Sequence, residues 1–93
     1  MSDENQSARE KIAEIRETID EIDCQLVRLL NKRAKNTLAI RKLKPQAQWG
    51  LYDPKREEEI FAHVAQCNEG PLFADDLRDI FDTVLRVSKE MRV

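Results

Sequence analysis

The stretch that decides the fold is IAEIRETIDEIDCQLVRLL, residues 12–30. Its apolar side chains recur at alternating steps of three and four, which is the spacing of one face of an α-helix: Ile12, Ile15, Ile19, Ile22, Leu26 and Leu29. Neither glycine nor proline interrupts residues 8–44. The pattern predicts one long amphipathic helix over this range, ended by Pro45, whose ring disfavours the helical conformation at Lys44.

Two shorter helices are predicted after the first. Residues 46–52 are expected to form a loop, and Asp53 followed by Pro54 predicts a helix start, because the carboxylate accepts from free N–H groups and proline suits the first helical position. The inward residues of this helix are Ile60, Phe61 and Val64. A break over residues 68–71 precedes a third helix. The apolar stripe of that helix comprises Leu77, Ile80, Phe81, Val84, Leu85 and Met91.

The composition indicates an all-α fold in a single domain, residues 1–93. Two glycines, three prolines and 5% aromatic residues disfavour a β-sandwich. The net charge of −2 predicts no bulk attraction to nucleic acid or to an anionic membrane. We expect a cytoplasmic protein, since no apolar run approaches the length of a membrane span and the polar first residues lack a signal-peptide core.

Cysteine and histidine are too few to predict a metal centre or a disulfide framework. Cys24, Cys67 and His63 lack the ligand spacing of a zinc site. We expect two reduced thiols, with Cys24 partly buried, and we expect His63 on the outer face of the second helix. No metal or cofactor is predicted.

The length of the first helix predicts a dimer. About 37 residues at 1.5 Å each extend over roughly 55 Å, whereas a compact monomer of this size has a radius of gyration of about 12 Å. Helices of roughly 14 to 19 residues are too short to cover the apolar stripe over that length. We therefore expect an obligate, intertwined homodimer of three-helix protomers.

Basic residues concentrate in the middle of the chain. Residues 25–52 hold seven bases and no acid, which predicts an attraction for anions. Most of these bases are interpreted as a solvated helix face: Lys32, Lys35, Arg41 and Lys42. Arg33 differs, because it falls on the seven-residue repeat that contains Ile19 and Leu26, where a buried cation is costly without a counter-charge.

Arg33 and Lys44 are predicted to converge on a small anion. They differ by about 20° in azimuth and by roughly 16 Å along the helix, so both side chains face the same way. Arg16 lies roughly 25 Å before Arg33, too far for one small ligand within a chain. In an antiparallel dimer, Arg16 of one copy would meet Arg33 and Lys44 of the other. The alternative for Arg16 is an exposed ion pair with Asp20.

Several segments together resemble the all-helical class of chorismate mutases. They are IRETIDEID at 15–23, LLNKR at 29–33, Lys44, YDPKRE at 52–57 and the linker NEGPL at 68–72. Their spacing fits that family without a gap over nearly the whole chain. The resemblance implies a domain-swapped, three-helix dimer with two active sites, which converts chorismate to prephenate by a Claisen rearrangement without a cofactor.

The resemblance also implies roles for individual residues. Arg16 of the other copy and Arg33 would bind the substrate carboxylates, and Lys44 would donate to the ether oxygen and a neighbouring carboxylate. Asp53 and Glu57 would bind the ring hydroxyl. Their alternative interpretations are a helix cap and a first-turn acid favoured by the helix dipole.

Two further implied roles fall on the third helix. Ser88 would donate to a carboxylate, and its alternative is a surface or packing position. Arg92 stands where the family usually places Gln or Glu as a donor to the ether oxygen, and its alternative is a C-terminal cation that complements the helix dipole. Arg56 either braces the carboxylates or forms an exposed ion pair. Arg41, where the family commonly has glycine, and Pro45 also depart from the pattern, which predicts a lower activity than that of a typical member.

Three other functions are weighed against the mutase. An isochorismate-pyruvate lyase shares the fold and acts on a substrate with the same charges, but the presence of both Asp53 and Glu57 favours the mutase. A non-catalytic helical dimerisation or regulatory module would use Arg33 only to pair with an acid across the interface. DNA binding by a helix-turn-helix is disfavoured, because a loop and not a recognition helix follows the basic stretch.

Overall fold

The chain is all-helical. The computed structural model describes residues 2–46 and 53–91, in which there are three α-helices and no strand. The helices are α1 (Ser2–Leu43), α2 (Pro54–Cys67) and α3 (Ala74–Glu90). The all-α prediction is confirmed. None of the helices in the described ranges is both long enough and apolar enough to cross a lipid bilayer.

Helix α1 begins earlier than its apolar pattern predicts. It starts at Ser2, whereas the predicted start was residue 8. Asp3 and Glu4 lie in the first turn, where carboxylates interact favourably with the positive end of the helix dipole. Hydrophobic periodicity does not report this contribution, so it places the start too late.

The C-terminal end of α1 lies where proline predicts it. The helix ends at Leu43, and the backbone N–H of Lys44 still donates to the carbonyl of Ile40 at 2.9 Å. Pro45 comes next and has no N–H with which to continue the series. The predicted end, within two residues of Lys44, is confirmed.

The first of two compact units covers residues 1–36, and its described part is residues 2–36 of α1. The side chains of residues 3–32 are all exposed. The side chains of the apolar stripe are exposed as well, with exposed fractions from 48% at Ile12 to 60% at Leu29. Cys24 is exposed as well. Its predicted partial burial is wrong for the single chain, because no second element lies in this unit to cover it.

The second compact unit, residues 37–93, contains the end of α1, residues 37–43, together with α2 and α3. Asp53 caps α2 as predicted: its Oδ1 accepts from the Arg56 N–H at 3.0 Å. Pro54 occupies the first turn, where a missing N–H leaves no hydrogen bond unmade. The Asp-Pro pair therefore fixes the start of α2.

The turn between α2 and α3 is organised by Asn68. Its Nδ2 donates to the Leu72 carbonyl at 2.7 Å, and its Oδ1 accepts from the Gly70 N–H at 2.9 Å. Gly70 has a φ of 76°, a left-handed conformation that glycine adopts without a Cβ clash. The predicted break is confirmed.

Helices α2 and α3 pack against each other around Leu85. This side chain is 7% exposed and is the buried hydrophobic residue of the described ranges. Its neighbours on the two facing stripes are half-buried: Ile60, Phe61, Val64, Leu77, Phe81 and Val84. Two residues predicted for the stripe of α3 do not belong to its buried part. Ile80 lies at the edge of the stripe and is 48% exposed, and Met91 follows α3 as its C-cap.

We expect Leu85→Ala to lower the free energy of unfolding by about 2–4 kcal/mol, because it empties part of the core. Ile80→Ala removes the same number of carbons from the half-exposed edge of α3 and should cost less than half as much. Urea denaturation followed by circular dichroism, at one protein concentration, measures both. Equal losses would show that the core is not centred on Leu85.

Candidate functional site

Two of the predicted anion-binding residues lie on α1 in the first unit. Arg33 is half-buried and Arg16 is exposed. Arg16 forms no ion pair with any residue of the described ranges. The alternative interpretation of Arg16, a pair with Asp20, is therefore not what the single chain adopts.

The basic residues around Arg33 divide as predicted, with one exception. Lys32, Lys35 and Lys42 are exposed, which confirms the solvated face. Arg41 is half-buried and hydrogen-bonded, so its assignment to that face is wrong. Helical periodicity within α1 did not predict this, because the partner of Arg41 is the distant end of α3.

Lys44 and Asp53 flank the segment between α1 and α2. Lys44 is half-buried directly after α1. Asp53 is exposed, and one oxygen of its carboxylate serves as the helix cap. The cap interpretation of Asp53 is confirmed, and it leaves the second carboxylate oxygen available for a ligand. Residues 47–52 of this segment, with Trp49 and Tyr52, lie outside the described ranges.

Glu57 forms an ion pair that the sequence analysis did not predict. Its side chain is 24% exposed, and its two carboxylate oxygens lie 2.8 Å and 3.1 Å from Nζ of Lys89. The pair joins the first turn of α2 to the last turn of α3. Spacing along one helix reveals pairs such as Arg86 with Glu90, but a pair 32 positions apart requires knowledge of how the helices pack.

A cleft beside this ion pair has a volume of about 390 Å³. The charged residues that line it are Glu57, Asp82, Arg86, Lys89 and Glu90. Three carboxylates against two cations give this surface a negative excess. A dianionic ligand is repelled by such a surface, so the cleft is a poor candidate for the predicted anion site.

Ser88 lies half-buried near the end of α3. Its hydroxyl donates to the Val84 carbonyl at 2.8 Å. Its own carbonyl accepts from Nη2 of Arg41 at 2.7 Å, and the Met91 carbonyl accepts from Nη1 of Arg41 at 2.6 Å. The hydroxyl is a single rotor that can exchange the Val84 carbonyl for a ligand acceptor. Arg92, the last predicted site residue, lies outside the described ranges.

The remaining candidates are surface residues. The guanidinium of Arg56 lies 3.7 Å from the Glu59 carboxylate, and both side chains are more than half exposed, so its exposed-pair interpretation is confirmed. His63 is exposed on α2 as predicted, and its Nε2 lies 3.8 Å from the thiol of Cys67. The described residues include no group of three or more His, Cys, Asp or Glu placed to hold a metal ion.

Comparison of the sequence with known proteins gives a consistent family. Residues 15–93 match the model of the family described as chorismate mutase type II. The bifunctional chorismate mutase/prephenate dehydratase of Aquifex aeolicus is 34% identical over 92 residues, which cover 90% of this chain and 25% of the relative. The chorismate mutase of Methanocaldococcus jannaschii is 36% identical over 61 residues, which cover 64% of this chain and 62% of the relative. The chain spans about a quarter of the length of the bifunctional relatives it matches.

Comparison with solved structures gives the same family. Form II of the chorismate mutase from Thermus thermophilus aligns with a TM-score of 0.83 at 30% identity, over 87% of this chain and 92% of that chain. Form I of that protein aligns with a TM-score of 0.80 at 31% identity, over 84% of this chain and 98% of that chain.

The ion pair between Glu57 and Lys89 should stabilise the protein more than a fully exposed pair. A double-mutant cycle with Glu57→Gln and Lys89→Met should give a coupling energy of about 1 kcal/mol, because Glu57 is partly shielded from water. The same cycle for Arg86 and Glu90, more than half exposed on α3, should give about 0.3 kcal/mol. Urea denaturation of the seven proteins, the wild type and three variants for each pair, measures both values, and equal coupling would contradict the shielding argument.

Proposed function

The chain belongs to the chorismate mutase type II family, and from this premise we propose that it converts chorismate to prephenate. The observation that supports the proposal most directly is the extent of the family match. Residues 15–93 include all the residues predicted for the site: Arg16, Arg33, Lys44, Asp53, Glu57, Ser88 and Arg92.

The proposed chemistry suits a set of cations and hydrogen-bond donors. A Claisen rearrangement proceeds within one molecule and requires no nucleophile from the protein. The enzyme accelerates it by holding the substrate in the compact, chair-like pose and by stabilising the partial negative charge that develops on the ether oxygen. Since the substrate is a dianion, arginine and lysine side chains can serve both purposes.

We propose that the active enzyme is an intertwined homodimer. The support is the exposure of about half of most large apolar side chains along α1, a helix that extends over roughly 63 Å for 42 residues. A continuous apolar surface of this length in water indicates an interaction site. A second copy of α1 presents the same stripe, so two copies can cover one another in an antiparallel arrangement.

The dimer would bring cations of both copies to each substrate. Arg33 and Lys44 of one copy would bind a carboxylate and the ether oxygen, and Arg16 of the other copy would bind the second carboxylate. A guanidinium group suits this task because it donates two parallel hydrogen bonds to one carboxylate. Arg16 is exposed and without an ion pair in the described ranges, which is the state expected of a residue that completes a site on another copy.

Polar side chains of the second unit would complete the site. The Asp53 and Glu57 carboxylates would accept a hydrogen bond from the ring hydroxyl. The Glu57 carboxylate has lone pairs for this bond in addition to those that contact Lys89. Ser88 would donate to a substrate carboxylate. Arg92 would donate to the ether oxygen, a role for which a permanently protonated guanidinium needs no acidic pH.

A location in the cytoplasm is part of the same proposal. The cysteines Cys24 and Cys67 are free and exposed, and such thiols suit a reducing compartment.

The activity can be measured by the loss of chorismate absorbance at neutral pH, with prephenate identified as the product. We expect turnover by the wild type and a loss of at least about a hundredfold in Arg33→Ala, because a carboxylate of the substrate is left without its partner. Lys35→Ala removes an exposed cation from the same helix and should retain full activity. The mass of all three proteins in solution should be that of a dimer.

Other outcomes of this assay assign other functions. Release of pyruvate from isochorismate, with chorismate unchanged, would identify a lyase. A folded dimer that acts on neither substrate, and that loses only stability in Arg33→Ala, would identify a dimerisation or regulatory module.

A further inference from the structure

Arg41 joins the last turn of α1 to the end of α3. Its two terminal nitrogens donate to two different carbonyls, Nη1 to Met91 at 2.6 Å and Nη2 to Ser88 at 2.7 Å. Arg41, Ser88 and Met91 are all half-buried. The contact therefore uses both terminal nitrogens of the guanidinium and is partly shielded from water.

The acceptors of Arg41 are groups that a helix leaves without partners. The last four carbonyls of an α-helix have no N–H of the same helix to accept from, and α3 ends at Glu90. A cation at this end also interacts favourably with the helix dipole. The planar guanidinium reaches two carbonyls at once, which a lysine ammonium matches less well. Arg41 thus opposes fraying of the last turn of α3.

A second contact holds the same turn of α3 from another side. Lys89, the residue after Ser88, binds Glu57 in the first turn of α2 at 2.8 Å. Two consecutive residues of α3 are thereby fixed, one through its backbone to α1 and one through its side chain to α2. The orientation of this turn about the helix axis is then determined by its neighbours.

We propose that Arg41 is a positioning residue for the reaction, which acts through Ser88. Both hydrogen bonds of Arg41 go to backbone carbonyls, so its effect on the substrate is indirect. The inference rests on the proposed function, because it concerns the placement of Ser88 against chorismate. A positioning role explains why Arg41, in the last turn of α1, is half-buried. The solvated-face interpretation does not explain this burial.

A double-mutant cycle in catalysis tests the proposal. We expect Arg41→Met to lower kcat/KM by on the order of tenfold or more, since small displacements of binding groups slow a reaction strongly. Ser88→Ala should lower kcat/KM by about tenfold in the native protein and by less than about threefold in the Arg41→Met protein. The effects of residues that act as a unit are not additive. Arg86→Met breaks only an exposed pair with Glu90 and should leave kcat/KM unchanged.

Hydrogen exchange supplies a readout that does not depend on activity. Amides at the end of α3, residues 88–91, should exchange faster in Arg41→Met, while those of α2 keep the native rates. Arg41→Lys retains the charge and can donate to the carbonyls, so its exchange and its kcat/KM should lie between those of the native protein and Arg41→Met. This second variant also keeps the test valid if Arg41→Met fails to fold.

The outcomes separate this inference from the proposed function. Native turnover in folded Arg41→Met, or a Ser88→Ala effect that is the same in both backgrounds, would overturn the positioning role while the mutase stands. A native rate in Arg41→Lys together with faster exchange at residues 88–91 would also overturn it. A wild type that leaves chorismate unchanged would overturn the proposed function, and the catalytic consequence of Arg41 with it, whatever the exchange rates.

Discussion

The apolar stripe of α1 is the constraint on which the rest of the structure depends. In the described part of the first compact unit no other element covers it, and side chains such as Ile15 and Leu29 are 59% and 60% exposed. Hydrophobic burial is the dominant favourable contribution to folding and association, so a helix of this kind favours a second copy. The proposed site follows from the same requirement, because two long helices side by side would place cations of both chains within reach of one ligand.

Charge is distributed in a way that suits this arrangement. The cleft between α2 and α3 carries more carboxylates than cations, whereas residues 25–43 of α1 carry bases without acids. A dianion is therefore attracted to α1 rather than to the helices that pack on each other. The second unit contributes polar groups of known position, among them the Asp53 cap and the Glu57 carboxylate held by Lys89.

Local features were predictable from the sequence, and contacts between helices were not. Periodicity, Pro45 and the Asp53-Pro54 pair predict all three helices, since each signal acts within a few residues. The start at Ser2 was missed because first-turn acids leave no apolar pattern. The partners of Arg41 and Lys89 lie on other helices, so their roles depend on how the helices pack. Cys24 was predicted to be partly buried but is exposed, since no second element in the described part of its compact unit covers it.

Subunit complementation is the most direct test of a site shared between two copies. Arg16→Ala and Arg33→Ala proteins, each inactive alone, are mixed and allowed to exchange subunits. If Arg16 of one chain serves the site of the other, half of the dimers are mixed and each contains one intact site, so about a quarter of the wild-type activity returns. If Arg16 and Arg33 of the same chain form one site, every site in the mixture carries a defect and no activity returns. Recovery would support the intertwined dimer as the catalytic unit, and its absence would contradict it.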